Sequence, residues 1–409
     1  MELEKSKTGV LTMRYNNKYI HSKYDPIKES EQFVVNNIHF IKNNIIVIYG
    51  LGLGYHINCI LNYITDGTKI YIFEWNKDLI EACKMVNADL FIEKNIKIIS
   101  GTQKDFYEKL SSYLEKVNDI IVHKPSLETI SETNDKLYML IKGYLITKQW
   151  IKDNGSLLEE NYIYNSKINA KSIKELIDDF TQVNSHKPYI IVAAGPSLDF
   201  DLDLLKENRE RFNIISVGSA LRSLMNKGIK PDAVVIIDGK EIVKNQLRDY
   251  ENSGISLCFL STASRWAVEA YNGPRYIFYN SVGEDEVIIR TGKTVAVAAI
   301  DIALKSGAQE IILLGQDLAF LENKSHTETF EATYGFKDVI RKSGVNKFVK
   351  SIDGKMLETT EGYLYFKAQI ELIINESKSI SFINCSKGAL IDGAVHMSLS
   401  QYLNNYIKE

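Results

Sequence analysis

Apolar residues in this chain gather in short unbroken runs. Most runs end at a glycine or a polar residue just before a helical pattern begins. The first such unit is IIVIYGLGLGYHINCIL (45–61): an apolar run from Ile45 to Tyr49, a glycine-rich turn, then apolar positions at helical spacing. KIYIFEWN (69–76) followed by DLIEACKMV (78–86) repeats the arrangement, and IKIIS (96–100) and DIIVHKP (119–125) supply two further apolar runs. Runs that are apolar throughout suit strands buried on both faces, and strand alternating with helix predicts a parallel, doubly wound sheet. Ahead of this unit, TGVLTMRYNNKYIH (8–21) predicts a hairpin turning at Asn16-Asn17, and a short helix is expected over residues 29–40.

From about Pro125 to Val183 the apolar positions recur at helical spacing, which predicts a helical connector. At His186 the strand–helix rhythm restarts, with YIIVAAG, NIISVGS, AVVIIDG, ISLCFLS, RYIFYNS and EIILLGQD as strand-like runs. The fold class expected is therefore α/β: two Rossmann-like parallel-sheet domains joined by a helical connector. The expected boundaries are 1–40 for the hairpin and helix, 41–128 for the first domain, 129–183 for the connector, 184–400 for the second domain and 401–409 for a tail.

Composition narrows the class. A chain of 409 residues is long for one core, which agrees with two domains. The formal net charge of −3 argues against a general nucleic-acid binder. The first residues, MELEKSKTGVLTMRY, lack the apolar centre of a signal peptide, and no apolar run approaches the roughly 18 residues of a membrane span. Cys59, Cys83, Cys258 and Cys385 are scattered without a C-x-x-C spacing, so no disulfide framework or zinc site is expected. A soluble cytoplasmic protein without nucleic-acid or membrane partners is the expectation.

Candidate chemistry lies at the strand ends. Gly50, Gly52 and Gly54 follow one strand, and Glu74 ends the next, in the arrangement of a nucleotide-binding βαβ unit. The pattern resembles S-adenosylmethionine-dependent methyltransferases, although the glycines equally allow tight strand-to-helix packing. In the second domain the tips carry Gly195-Pro196-Ser197, Gly218-Ser219, Asp238-Gly239, Ser261-Thr262 and Gly315-Gln316-Asp317. Ligands of open α/β sheets bind just beyond such carboxyl ends. Ser197 is placed to cap the following helix, and that helix N-terminus to attract an anion. Asp199, Asp201 and Asp203 suit the helix dipole but would repel a phosphate seated on it. Asp238 either caps the next turn or faces a pocket. Lys293 and Thr294 precede another helix and are candidates for meeting an anion. His326, in the polar loop LENKSHTETF, is a candidate general base on a candidate lid.

In their order, GPSLD, IKPDAVVIIDG, GKTVAVAA, GQDLAFLENKSHT, the segment VKSIDGKMLETTEGYLYFKAQIE and INCSKGALIDGA resemble the motility accessory factor (Maf) class of bacterial flagellin glycosyltransferases. The resemblance runs from about residue 41 to 395. It implies transfer of a nonulosonic acid of the pseudaminic, legionaminic or sialic type from its CMP-activated form to flagellin Ser or Thr hydroxyls. It also implies a second domain similar to bacterial sialyltransferases, working without a metal or other cofactor. Carried over, Gly195, Pro196, Ser197, Gly218, Ser219 and Asp238 become donor-site candidates with Thr294 and Asp317 near them; Lys293 joins them as the cationic candidate, and His326, Asp238 and Asp317 are the catalytic candidates. The histidine that the sialyltransferases place in a later segment has no counterpart in IDGKMLETTEGY (352–363), so Glu361 joins the candidates for the base. GPSL with a later PD and Asp is shared with archaeal 6-hydroxymethylpterin pyrophosphokinase, whose magnesium chemistry would suit the acids at 199, 201 and 203.

Overall fold

The computed structural model describes residues 2–114, 117, 120–184, 186–281, 287–338 and 347–406. The chain divides into two compact units, Met1–Trp150 and Ile151–Glu409.

In the first unit the apolar runs form a four-stranded parallel sheet in the order Ile96–Ser100, Lys69–Glu74, Ile45–Tyr49, Ile121–Val122. From Ile45–Tyr49 the chain moves outward through two strands and then returns to the other side. The switch point therefore lies beside Tyr49, where the glycine turn begins and where ligands of this architecture collect. Residues 1–40 are built into this unit. Asn16 and Asn17 hold φ of 47° and 61°, as a type I′ hairpin turn requires, between the strands Leu11–Tyr15 and Lys18–Tyr19. Met13 and Ile20 of the hairpin are buried with Leu53, Leu79 and Ala82. The helix Pro26–Ile41 starts at Asp25, whose carboxylate accepts the N–H groups of Ile27 and Lys28, and it sinks Val34 and Ile41 into the core.

The second unit carries nine parallel strands: Val395–His396, Ser381–Asn384, Glu310–Leu314, Tyr189–Val192, Asn213–Val217, Ala233–Ile236, Ser256–Leu260, Arg275–Phe278 and Lys171–Ser172, in spatial order. Its switch point lies between Tyr189–Val192 and Glu310–Leu314. The helix Val295–Lys305 is buried along nearly its whole length, its alanines letting it lie close on the sheet. An antiparallel hairpin, Lys347–Lys350 with Met356–Thr359, leads into the helix Glu361–Glu376.

Two expectations about organisation change. The connector expected over 129–183 is divided, because the boundary between units falls inside the helix Asp135–Asn165. Its later part, Lys171–Ser172, pairs with Arg275–Phe278 at the sheet edge, and Ile173, Leu176, Ile177 and Phe180 enter the second core. The expected tail begins inside the helix Leu399–Tyr406, which buries Leu399, Tyr402 and Leu403. No helix among the described residues is long and apolar enough to cross a membrane.

Candidate functional site

The tip Gly195-Pro196-Ser197 stands at the switch point of the nine-stranded sheet and is tied to its neighbours by the backbone. The Gly195 N–H donates to the Gly315 carbonyl at 2.8 Å. The Ser197 N–H donates to Asp317 Oδ2 at 2.8 Å, and Asp317 Oδ1 accepts the Lys387 N–H at 3.1 Å. One carboxylate thus laces together the tips of three strands. Asp317 is 2 % exposed. Burial pushes its carboxyl up, while the amides of Ser197, Lys387 and Gly388 pull it back toward the ionised form.

This geometry corrects three expectations. A Cβ built on Gly195 would stand 2.4 Å from both Asp317 Oδ2 and the Gly315 carbonyl, so the room beside Gly195 belongs to Asp317 rather than to a ligand. Asp317 turns both oxygens to backbone amides, a scaffold position rather than a free catalytic carboxylate. Ser197 precedes the helix Leu198–Glu207 with no side-chain cap bond; its amide is the group in use. The next amides of that turn are engaged as well, Leu198 N–H with Gly195 O and Asp199 N–H with Pro196 O, which leaves the helix start poorly disposed to hold an anion.

The loop bearing His326 is pinned over this turn, so the expected lid is a fixed cover. Glu322 and Asn323, at φ of 49° and 63°, make a tight reversal. Beyond it the Thr327 N–H donates to Ala194 O at 3.0 Å, and the Glu328 N–H to Asp199 Oδ2 at 2.9 Å. Ser223 Oγ meets Thr327 Oγ1 at 3.0 Å. The His326 ring stacks on Phe330 at 4.5 Å, and Phe330 packs on Tyr334 at 4.8 Å. The Tyr334 hydroxyl accepts Gln246 Nε2 at 2.7 Å. Gln246 Oε1 in turn occupies the space beside Gly218, where a Cβ would stand 2.0 Å away. Gly195, Ser197, Gly218, Asp317 and His326 are therefore linked through one contact chain. Burial lowers the His326 imidazole, opposed by the Asp338 carboxylate 3.6 Å from Nδ1, and so favours a neutral ring.

The other candidates spread along the same edge. Asp238 is exposed, and its Oδ1 accepts the Lys240 N–H at 2.9 Å, so of its two expected roles it takes that of a turn cap. Ser219 is half-buried in the turn Gly218–Ala220. Lys293 has φ of 60°, and Thr294 is buried at the start of its helix, its N–H on Thr291 O. Glu361 opens the helix that follows the hairpin. Asp199, Asp201 and Asp203 do not converge. Asp199 accepts the Glu328 N–H, Asp203 pairs with Lys227 at 2.8 Å, and Asp201 is pushed up by burial, with the Lys387 charge opposing.

Several participants escaped the sequence reading. Asn161 Nδ2 donates to Gly239 O at 2.8 Å, and Asn165 Nδ2 to Ser261 O at 3.0 Å and Ala263 O at 2.8 Å, so two buried amides one helical turn apart fasten the tips of neighbouring strands. Their i,i+4 spacing was the available signal. Lys387 stands over the Phe200 ring at 3.8 Å, beside the switch point. Ser325 and Asp338 surround His326, and nothing in their spacing announces it.

In the first unit the glycine turn is filled by the protein itself, which corrects the ligand-turn expectation. Gly50, Gly52 and Gly54 hold φ of 103°, 51° and 88°. A Cβ would stand 2.8 Å from Ser126 Cβ at Gly50, 2.5 Å from His21 Nε2 at Gly52 and 2.4 Å from Leu90 Cδ1 at Gly54. Glu74 is fully buried; its oxygens accept the Leu51 and Asn76 N–H groups, each at 2.9 Å, so they are turned inward rather than toward a ribose. Burial pushes this carboxyl up to about 7.

His21, His56 and His123 meet under the turn, with one nitrogen of each within 4.8 Å of the others. His56 Nε2 bonds Gly50 O at 3.0 Å, His21 Nε2 accepts the Leu53 N–H at 2.8 Å, and His123 Nδ1 meets Ser126 Oγ at 2.8 Å. The rings of His56 and His123 stack at 4.3 Å and 8°. A metal ion lies near the plane of each imidazole that binds it, and two stacked parallel planes share no such point. In this arrangement the histidines are a hydrogen-bonded core holding the turn, not a chelate.

The second unit thus belongs to the doubly wound α/β class with polar tips gathered at its switch point, where nucleotides and activated substrates are commonly held. The family described as 6-hydroxymethylpterin diphosphokinase MptE-like matches residues 160–323. The chain is 20% identical over 346 residues to an uncharacterized protein of Treponema pallidum (strain Nichols); the aligned part is 80% of this chain and 60% of that relative. The chain therefore spans about 60% of the length of the curated relative it matches. Among solved structures it is similar to the MAf glycosyltransferase from Magnetospirillum magneticum AMB-1, at 15% identity and a TM-score of 0.50, over 100% of this chain and 73% of that one. At that identity the likeness establishes a shared α/β fold.

Proposed function

We propose that the protein is a glycosyltransferase of the motility accessory class, moving a nonulosonic acid from a CMP-activated donor to Ser or Thr hydroxyls of flagellin. The observation that carries the reading is the His326 loop pinned across the Gly195–Ser197 turn at the switch point, in a fold shared along the whole chain with a MAf glycosyltransferase. The donor nucleotide lies outside the strand-tip edge that Asp317 and Gln246 fill beside Gly195 and Gly218, with Ser219 at its border and Lys293, Thr294 and Lys387 as the groups that meet its phosphate.

In the reaction the acceptor hydroxyl attacks the anomeric carbon. The bond from that carbon to the CMP phosphate oxygen breaks, and its electron pair leaves with CMP. The hydroxyl proton passes to His326 Nε2. A phosphate monoester is a stable anion, so departure needs charge stabilisation more than a strong acid. A positioned base contributes typically 10²- to 10⁴-fold. The protein needs no metal in this scheme, and its partner is flagellin.

Intact mass of flagellin co-expressed with this protein and a CMP-nonulosonate source tests the reading. Flagellin is expected to gain whole multiples of a nonulosonate residue, and unchanged mass would overturn the proposal. The MptE-like match over residues 160–323 favours a second reading, diphosphate transfer to a pterin alcohol. Product analysis with ATP, Mg²⁺ and a hydroxymethylpterin tests it.

A further inference from the structure

We infer that Ser325 and Asp338 are positioning residues that fix the tautomer of His326, placing its ring proton on Nδ1 and reserving Nε2 as the proton acceptor. The inference draws its chemical role from the glycosyltransferase reading, but its structural content stands apart from it.

The assignment follows from counting protons. Ser325 Oγ meets Asp338 Oδ1 in a short contact and His326 Nδ1 at 2.8 Å, and the Tyr363 hydroxyl, which has a proton of its own to give, also reaches it. A hydroxyl has one proton to donate. Asp338 is the stronger claimant. Its Oδ2 accepts the Ser325 and His326 N–H groups at 2.8 Å and 2.9 Å, which fixes it as an acceptor. Burial alone would push this carboxyl up, yet the Ser325 hydroxyl, these two amides and the His326 ring hold it below its ordinary value, so it is ionised at neutral pH. The Ser325 proton therefore points to Asp338, and Ser325 Oγ must accept from the imidazole. That requires a proton on Nδ1. The neutral ring then has its lone pair on Nε2, the atom with no hydrogen bond among the described residues. Stacking on Phe330 at 4.5 Å holds the ring plane.

An isolated neutral imidazole carries its proton on either nitrogen, and a base in the wrong tautomer cannot take a proton from a substrate. The two residues thus secure a working base without touching substrate. The other titratable groups around the ring are Tyr363, whose hydroxyl reaches Ser325, and across the loop the Lys324–Glu328 pair and Asp199.

The test uses the full-length protein labelled with ¹⁵N-histidine, with the His326 signals assigned by their loss in His326→Gln. Wild type is expected to show a protonated Nδ1 and an unprotonated Nε2. Ser325→Ala is expected to move the ring toward the Nε2–H form, and Ser325→Thr, which keeps the hydroxyl, to retain the wild-type pattern. A wild-type ring protonated on Nε2, or an unchanged tautomer in a folded Ser325→Ala, would overturn the assignment. Flagellin modification supplies the second readout. Ser325→Ala and Asp338→Asn are expected to lower the turnover rate by about 10²-fold, the lower range of general-base catalysis, with KM unchanged and the pH profile displaced. Wild type that fails to modify flagellin yet shows the Nδ1–H ring defeats the functional reading and supports the tautomer assignment. Modification with the opposite tautomer defeats the assignment alone.

Discussion

At the scale of single residues, the second unit turns on the meeting of Gly195 and Asp317. That a glycine-rich tip ended the Tyr189–Val192 strand was legible, because glycine after an apolar run punctuates strand from helix. What occupies the space beside it was not, because the bond from Ser197 to Asp317 spans 120 residues of sequence. Gly195→Ala is expected to cost about 1–3 kcal/mol, since one of the atoms it meets at 2.4 Å is a backbone carbonyl that cannot rotate away. Urea denaturation of the nucleotide-free protein checks this; an undiminished midpoint together with lost nucleotide binding would return Gly195 to a ligand role. Asp317→Asn replaces one acceptor by a donor facing a backbone N–H, either that of Ser197 or that of Lys387. About 1–3 kcal/mol of stability should be lost there too, the usual cost of a buried group without its partner.

Among whole elements, the hairpin and the strand–helix alternation were readable because their signals are local: Asn16-Asn17 demands positive φ, and unbroken apolar runs demand burial on both faces. The glycine turn of the first unit was readable only as a turn. Its three histidines come from the hairpin's exit, the helix after the turn and the end of the last strand, so no window of sequence shows them together. Their burial has a pH consequence. His56 is pushed down to about 3 from 6.5, and His123 is lowered too, both by burial first and by their neighbours second. Between those values the unfolded chain binds protons that the folded chain refuses, so this contribution is intact above about 6.5 and lost as pH falls toward about 3. Glu74, raised from 4.5 to about 7, acts oppositely: folding loses stability as pH rises across that interval. The two slopes oppose one another between 4.5 and 6.5, and below 4.5 the histidines act without Glu74. The melting temperature of His56→Phe should accordingly fall less than that of wild type between pH 4.5 and pH 3. Equal falls in both proteins would show that His56 does not titrate with folding.

Across the whole molecule, the two kinds of relative match different parts of the chain. The MptE-like match ends at residue 323, within the turn just before Ser325 and His326 and short of Asp338. It covers seven strands of the sheet and the Gly195, Gly218 and Asp317 tips, a scaffold that suits any nucleotide. The likeness to the Magnetospirillum MAf structure extends over the first unit and the His326 loop as well. The two readings then part over metal. Diphosphate transfer from ATP needs Mg²⁺ bridged by carboxylates, and the candidate acids are directed apart, Asp203 to Lys227 and Asp199 to the Glu328 amide. Calorimetric titration therefore separates them. CMP is expected to bind with the same affinity in EDTA and in Mg²⁺, and Lys387→Ala to weaken it about tenfold, by the 1.4 kcal/mol or so that one phosphate contact contributes. Tight Mg²⁺-dependent ATP binding with no CMP heat would instead place this chain with the diphosphokinases and make the pterin alcohol, not a flagellin side chain, the hydroxyl that is deprotonated.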